Sequence, residues 1–234
     1  MTLRLLLTCE HARSAVPDGV ELGVEPAHLA THVAYDRGAL AIARGLAEAT
    51  GAPLHEGAYS RLVVDLNRMA DNPEVIAAVT SGLAVPGNAA LDAPARAARI
   101  ARWHTPWREA VRAEAIALSA RGYCLHLSIH SFDPAVDPPR RGFDAGVLFD
   151  PARVPERAQA AALRDALVSA GFAARLNEPF HGTPEGTTSW LRAQLPPHGY
   201  GGVELEASYA WVDDPSRTAS YVAAIARAVA AIRA

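Results

Sequence analysis

The segment of residues 60–68, SRLVVDLNR, combines a short apolar run with four polar side chains: Arg61, Asp65, Asn67 and Arg68. A guanidinium group donates two parallel hydrogen bonds to the two oxygens of a carboxylate, and an amide can add another. The alternative is a loop in which Asp65 neutralises one arginine, an arrangement that contributes little at a surface. We favour the interpretation that this segment binds the carboxylate of a substrate.

Two histidines, His11 and His130, each follow a predicted strand and are flanked by small or polar residues. Together with a carboxylate from elsewhere they could form a three-ligand site with one open position, which is the arrangement of a catalytic zinc. The alternative is that both are ordinary hydrogen-bonded histidines. His126 illustrates that alternative, because it alternates with Ser128 and His130 and so lies further down the same face of the predicted strand.

Two glutamates in the segment GGVELEASYA, Glu204 and Glu206, lie two residues apart. In an extended strand both side chains therefore point to the same face. Two carboxylates on one face repel each other unless a cation, a proton or a metal lies between them. The alternative is an edge strand with both side chains in water.

These residues follow elements that alternate between strand and helix. Apolar runs typical of strands lie at 3–7, 62–66, 125–129, 145–149 and 202–205. Alanine-rich segments with helical spacing lie at 37–49, 88–120, 155–170, 185–194 and 215–233. The alternation predicts an α/β fold with a parallel or mixed sheet covered on both faces, and ligands bind such sheets beyond the carboxyl ends of the strands. The Pro-rich segment 133–142 is the one long irregular loop that we expect.

Composition restricts the classes of function. The 234 residues favour a single domain, 1–234, and the net charge of −3 makes nucleic acid and membrane poor candidate partners. We expect a cytoplasmic protein with a small soluble substrate and with Cys9 and Cys124 reduced. All 22 basic residues are arginine, which excludes Schiff-base chemistry and a phosphate-loop lysine. No GxSxG motif supports a serine hydrolase. Oligomeric state does not follow from the sequence.

Taken together, the motifs resemble those of the N-formylglutamate amidohydrolase family. The resemblance follows the order of the chain through TCEHARSAVP, LATHVAYDRGA, SRLVVDLNR, HLSIHSF, RGFDAGVLFD, LNEPF and GVELEAS. The DLNR element is also similar to one in aspartoacylases, which belong with the zinc carboxypeptidases. The resemblance implies a three-layer α/β/α sandwich of the zinc-exopeptidase type with a mixed, largely parallel sheet. It further implies zinc-dependent hydrolysis of the amide bond of an N-acyl amino acid.

The resemblance also implies a set of metal ligands and a catalytic base. His11 and His130 match the ligand histidines, and Asp36 is the best match for the carboxylate ligand, with Glu10 as the alternative. Glu206 matches the general base, and the neighbouring Glu204 is expected to support it.

Roles in binding the substrate follow from the chemistry of the remaining candidates. Arg61 would stabilise the oxyanion, Asn67 and Arg68 would bind the α-carboxylate, and Asp65 would orient its neighbours. Arg141 is a candidate for a second substrate carboxylate, and Arg13 adds a charge near the mouth of the pocket. The competing hypotheses are an exopeptidase or N-acyl amino acid hydrolase of other specificity, and a metal-free protein that binds carboxylates without catalysis.

Overall fold

The computed structural model describes residues 2–136 and 142–233. Its strands are β1 (Leu3–Cys9), β2 (Leu54–Glu56), β3 (Val79–Thr80), β4 (Leu83–Ala84), β5 (Tyr123–Phe132), β6 (Ala145–Leu148), β7 (Ala174–Leu176) and β8 (Tyr200–Ser208). Its α-helices are α1 (Ala39–Thr50), α2 (Pro86–Ala89), α3 (Ala93–Arg99), α4 (Thr105–Ser119), α5 (Val154–Ser169), α6 (Thr187–Arg192) and α7 (Pro215–Arg233). Short 3₁₀ turns lie at Pro26–Ala30 and Pro73–Ile76.

Six strands form one sheet in the order β2-β1-β5-β8-β6-β7, and β3 pairs with β4 in a separate hairpin. The pairs β1·β2, β1·β5, β5·β8 and β6·β7 are parallel, and only β6·β8 is antiparallel within this sheet. The sheet is therefore mixed and largely parallel. The carboxyl ends of β1, β5 and β8 meet at the same edge.

Alternate residues of the sheet pack against two different layers of helices. Leu125, Leu127 and Ile129 of β5 belong to the large core formed with α1, α5 and α7. On the opposite face, Cys124 and Tyr200 pack against α4 and α6. The structure thus confirms the predicted three-layer α/β/α sandwich.

Four of the predicted strands are confirmed, whereas the predicted strand at 62–66 is wrong, because this segment consists of turns. Its apolar residues are buried in two small clusters outside the sheet, beside Trp103. The backbone groups that would pair a strand form local hydrogen bonds instead. For example, the N–H of Val63 donates to the carbonyl of Ser60 at 2.9 Å. Burial of a short apolar run therefore did not require a strand here.

The predicted helices are confirmed in position, but the long helical segment at 88–120 is interrupted. Asp92 accepts a hydrogen bond from the backbone of Ala95 and begins α3, and a π-helical turn, Ile100–His104, separates α3 from α4. None of the helices in the described ranges is long and apolar enough to cross a bilayer. Both cysteines are free and buried, Cys9 at the end of β1 and Cys124 near the start of β5.

A buried ion pair connects helices α6 and α5 with strand β8 of the sheet. Arg192 of α6 donates to Glu156 of α5 at 2.9 Å and to the carbonyl of Gly202 in β8 at 2.8 Å. Glu156 is fully buried and also accepts from the backbone of Gly202 and Asp150 at 3.0 Å. The pair fixes α6 and the start of β8 relative to α5.

We expect Arg192→Met to lower the free energy of unfolding by about 3–5 kcal/mol, because it leaves the charge of Glu156 buried and unpaired. The matched control is Arg175→Met, which removes an arginine whose partner Glu178 is half exposed; its effect should stay below about 1 kcal/mol. Chemical denaturation of both variants measures the difference. Equal losses would show that the buried pair does not hold the layers together.

Candidate active site

Three ligand-type side chains converge at the carboxyl ends of the central strands. His11, Asp36 and His130 are all buried, and one ligand atom of each lies within 4.8 Å of the others. The Nδ1 atoms of His11 and His130 lie 3.4 and 2.8 Å from the same oxygen, Asp36 Oδ2. The backbone N–H of Asp36 donates to the carbonyl of His11 at 2.9 Å, which ties the two segments together. This cluster could hold a metal ion.

The outer nitrogen of each histidine has a partner of its own. His11 Nε2 lies 2.7 Å from Asp65 Oδ1, and His130 Nε2 lies 2.9 Å from Ser128 Oγ. Partners of this kind hold a ligating imidazole in one tautomer and one orientation. In both rings it is therefore Nδ1 that faces Asp36.

Strong opposing charges surround Asp36. Burial alone would raise the pKa of Asp36, but the guanidinium of Arg61 and the two histidines hold it well below its usual value. Arg61 forms an ion pair with Asp36 Oδ1. Burial lowers the pKa of His130, yet the hydrogen bond that it donates to Asp36 and the charges of Glu10, Asp36 and Glu206 raise it to about 10. The pocket thus attracts positive charge.

The two glutamates of β8 lie on the same face, as predicted. Glu206 is paired in register with His130, and Glu204 with Ser128, so both lie next to β5 in the interior of the sheet. The alternative of an edge strand in water is therefore wrong. Burial raises the pKa of Glu206 to about 7, with the charges of Asp36 and Glu204 adding to the increase. The oxygen Oε2 of Glu206 is buried and has no hydrogen-bond partner within the described residues.

The segment DLNR lies on the opposite side of the cluster. Asp65 Oδ1 accepts from the backbone N–H of Asn67 at 2.8 Å in addition to contacting His11. Burial would raise the pKa of Asp65, but His11 and Arg61 lower it. Asn67 Oδ1 accepts from the backbone of Thr187 at 2.7 Å, which fixes the orientation of the amide. Asp65 therefore contacts a histidine of the cluster, in addition to Arg68, whose Nε lies 4.0 Å from Asp65 Oδ2.

A cleft of about 420 Å³ opens over these side chains. Its walls include the candidate residues His11, Asp36, Arg61, Asp65, Asn67, Arg68, His130, Glu204 and Glu206. The side chain of Arg68 is 41% exposed, and it lies 3.5 Å from Glu74 and 3.9 Å from Glu185. A second cavity of about 560 Å³ adjoins the cleft and shares His32, Val33, Ser81 and Asp133 with it.

Two sequence expectations have a different outcome, and a third falls on a residue outside the described ranges. Glu10, the alternative metal ligand, lies behind His130 with 3.6 Å between Oε2 and Nε2, outside the three-residue cluster. Arg13 is not in the lining of the cleft, because it is paired with Glu56 at 2.6 Å. Arg141, like the rest of 137–141 in the Pro-rich loop, lies outside the described residues.

Sequence reasoning missed several residues that lie behind the site or beside the DLNR segment. Thr8 and Ser128 carry hydroxyl groups that contact Glu10, and both are fully buried. The carboxylate of Glu185 accepts from the backbone of Met69 and from the amide of Asn72, and so fixes the end of the DLNR segment. The alternation of polar residues on β5 was the available signal for Ser128, whereas nothing in the sequence indicated Glu185.

A family model shows the family of this chain, and solved structures share its fold. The family model for N-formylglutamate amidohydrolase matches residues 3–211. The crystal structure of gene product Atu2144 from Agrobacterium tumefaciens is similar, with a TM-score of 0.83 and 30% identity over 98% of this chain and 92% of that one. An N-formylglutamate amidohydrolase from Ralstonia eutropha JMP134 has a TM-score of 0.77 and 18% identity, covering 99% of this chain and 93% of that one. No protein of curated function matches the sequence significantly.

The raised pKa of Glu206 predicts a pH-dependent effect of Glu206→Gln on stability. The folded protein holds a proton on Glu206 up to about pH 7, whereas the ordinary value is 4.5. Between these values the folded state binds more protons than the unfolded chain, so this group makes stability fall as pH rises. With a chelator present, Glu206→Gln should therefore gain stability over wild type from pH 5 to pH 8, approaching roughly 3 kcal/mol.

Denaturation curves of both proteins at several pH values measure this gain. The difference should shrink toward zero well below pH 4.5, where the carboxyl is protonated in both states. A difference that is the same at pH 5 and pH 8 would contradict the raised pKa.

Proposed function

The chain belongs to the N-formylglutamate amidohydrolase family, and from this premise we propose that it is a zinc-dependent hydrolase of N-acyl amino acids. The proposed reaction is cleavage of the amide bond by water, and N-formyl-L-glutamate is the proposed substrate. The observation that carries the proposal is the buried cluster of His11, Asp36 and His130 beside Glu206. The amide-and-guanidinium pair of Asn67 and Arg68 in the same cleft supports the choice of substrate.

The residues of the cluster fit a divalent metal. Two imidazole nitrogens and one carboxylate oxygen form a catalytic zinc set that leaves one position open. The high pKa of His130, about 10, reflects the neighbouring carboxylates, and a field of that sign favours a cation. Bound to His11, Asp36 and His130, zinc would lower the pKa of a water molecule and polarise the acyl carbonyl.

Glu206 is the proposed general base. It lies next to His130 on the neighbouring strand, and its pKa of about 7 suits a group that takes and returns protons near neutral pH. One oxygen, Oε2, has no protein partner among the described residues and is available to the attacking water. Glu206 would take the proton of this water and then deliver it to the departing amine. Glu204 is held at 2.6 Å by the hydroxyl of Thr188, and we propose that it supports Glu206.

Arg61 is the proposed stabiliser of the oxyanion. Its ion pair with Asp36 fixes the guanidinium beside the cluster. Its Nε is buried and has no hydrogen-bond partner among the described residues, so this N–H is not already committed. A fixed cation next to the acyl carbon stabilises the negative charge that develops on the oxygen during attack.

Asn67 and Arg68 are proposed to bind the α-carboxylate of the substrate. The contact between Asn67 Oδ1 and Thr187 directs the oxygen toward the protein backbone and leaves the NH₂ group as the donor. Arg68 adds a guanidinium on the same wall of the cleft. Asp65 would hold His11 and the backbone of Asn67 in place. Recognition of a second carboxylate by Arg141 stays a prediction from the sequence.

Two variants separate the proposed metal ligands from the proposed base. Glu206→Gln should keep about one zinc per chain and lose roughly 10²–10⁴-fold in kcat, because only proton transfer is removed. His11→Ala should lose both zinc and activity, because it removes a ligand. Metal analysis after dialysis and a deformylation assay measure the two properties.

His55→Ala is the matched control, because His55 lies on β2 outside the cluster. It should keep zinc and activity. Full zinc in His11→Ala would remove this histidine from the ligand set, and near-normal turnover of Glu206→Gln would remove the base.

The substrate's α-carboxylate gives a further test. A site that presents donors to a carboxylate leaves them unpaired when the carboxylate is replaced, so the α-amide of N-formylglutamate should be hydrolysed with kcat/KM lower by roughly 10⁴-fold. Arg68→Ala should raise KM for the acid and reduce this discrimination. Steady-state kinetics on acid and amide with both enzymes measure the effect.

Arg112→Ala is the control for a general loss of positive charge, because Arg112 is exposed on α4 and paired with Glu109. It should leave the preference for the acid unchanged. Equal kcat/KM for acid and amide in the wild-type enzyme would contradict the proposed carboxylate site.

A further inference from the structure

Glu10 is a buried carboxylate that none of the proposed catalytic steps uses. It follows the last residue of β1, is 1% exposed, and is not in the lining of the cleft. Its two side-chain oxygens accept from two hydroxyl groups, Ser128 Oγ at 2.8 Å and Thr8 Oγ1 at 3.0 Å. Burying a charge is costly unless it is compensated. A buried carboxylate at this position is therefore expected to have a specific role.

The direction of the hydrogen bonds at the hydroxyl group of Ser128 determines the tautomer of His130. A serine hydroxyl has one proton, and Ser128 gives it to Glu10, which as a carboxylate can only accept. The oxygen of Ser128 must therefore accept from His130 Nε2, which lies 2.9 Å away. With the proton on Nε2, the lone pair of the neutral ring is on Nδ1. This is the atom that lies 2.8 Å from Asp36 Oδ2, in the metal-ligand cluster.

A second chain of hydrogen bonds from Glu10 runs in the same donor-to-acceptor direction but does not reach the cluster. Thr8 donates to the other oxygen of Glu10 and so must accept from His126 Nε2, which lies 2.8 Å away. His126 Nδ1 then accepts from the hydroxyl of Tyr200 at 2.7 Å, where the branch ends. Thr8, His126 and Tyr200 are all fully buried. The two branches thus share one carboxylate and differ in whether they contact a proposed metal ligand.

We propose that Glu10 and Ser128 are positioning residues that set the tautomer and orientation of His130 for metal binding through Nδ1. This inference rests on the proposed function, because it assumes that the cluster binds a metal. It assigns to Glu10 a role behind the ligand His130 and not in the ligand set. Loss of a partner behind a ligating histidine typically weakens metal binding 10–100-fold.

The test compares Ser128→Ala with Thr8→Val by measuring zinc affinity in competition with a chromophoric chelator. Each variant removes one hydroxyl from the same carboxylate at a fully buried position, so the melting temperatures of the metal-free proteins should fall similarly. Only Ser128→Ala breaks the contact with His130, and its zinc affinity should fall about 10–100-fold. The affinity of Thr8→Val should stay near that of wild type. The absorption spectrum of the cobalt-substituted proteins should change in Ser128→Ala alone.

Equal zinc affinities of the two variants would overturn the proposal. A wild-type protein that binds no zinc would overturn the proposed function instead, so the two failures are distinguishable. A second measurement needs no variant: nitrogen-15 spectra of the zinc-loaded wild type should show the His130 proton on Nε2, protected from exchange. A proton on Nδ1 would overturn the proposal even if Ser128→Ala does not fold.

Discussion

The concentration of buried carboxylates around two histidines is the constraint on which the site depends. Asp36, Glu10 and Glu206 all lie near His130, and Asp65 contacts His11. Such a group of like charges is stable only with compensating positive charge. Arg61 supplies part of this positive charge. Protons supply the rest, because the pKa of His130 is raised to about 10 and that of Glu206 to about 7. A divalent cation would replace these protons, so its binding should be coupled to proton release.

The alternation of side chains on β5 allows this charge to be buried. Leu125, Leu127 and Ile129 face the large core, whereas His126, Ser128 and His130 occupy the alternate positions. All ten residues of the strand are buried, so the polar face is enclosed as completely as the apolar one. A shift of one residue in register would turn the histidines into the core. The same register that builds the core thus places His130 beside Glu206 and Ser128 beside Glu204.

Much of this arrangement was predictable from the sequence, since strand and helix periodicity located the layers and the ordered motifs indicated the family. Convergence of His11, Asp36 and His130 followed from the family resemblance, because spacing alone cannot bring residues so far apart together. The role of hydroxyl groups was not predictable: Thr8 and Ser128 are small polar residues in strands, and only their contacts with Glu10 distinguish them. Glu185 contacts the DLNR segment from a distant loop, which no local pattern indicates.

The predicted strand at 62–66 is replaced by turns that continue through the DLNR segment, 65–68. If an extended strand continued through this segment, the adjacent residues Asn67 and Arg68 would point to opposite faces. Both line the cleft, together with Asp65, because the segment turns. The turn is held from outside by the bond from Asp65 N to the carbonyl of Val75 at 2.8 Å.

The carbonyl of Arg68 is held in the same way, since it contacts His104 Nε2 at 2.8 Å and accepts from Arg108 at 2.7 Å. These contacts replace the ladder of a sheet, so the backbone stays fixed although it is not extended. Buried Leu62, Val63 and Val64 anchor the start of the segment. A fixed turn can therefore present a carboxylate, an amide and a guanidinium to one cleft, which a regular strand of the same sequence could not do.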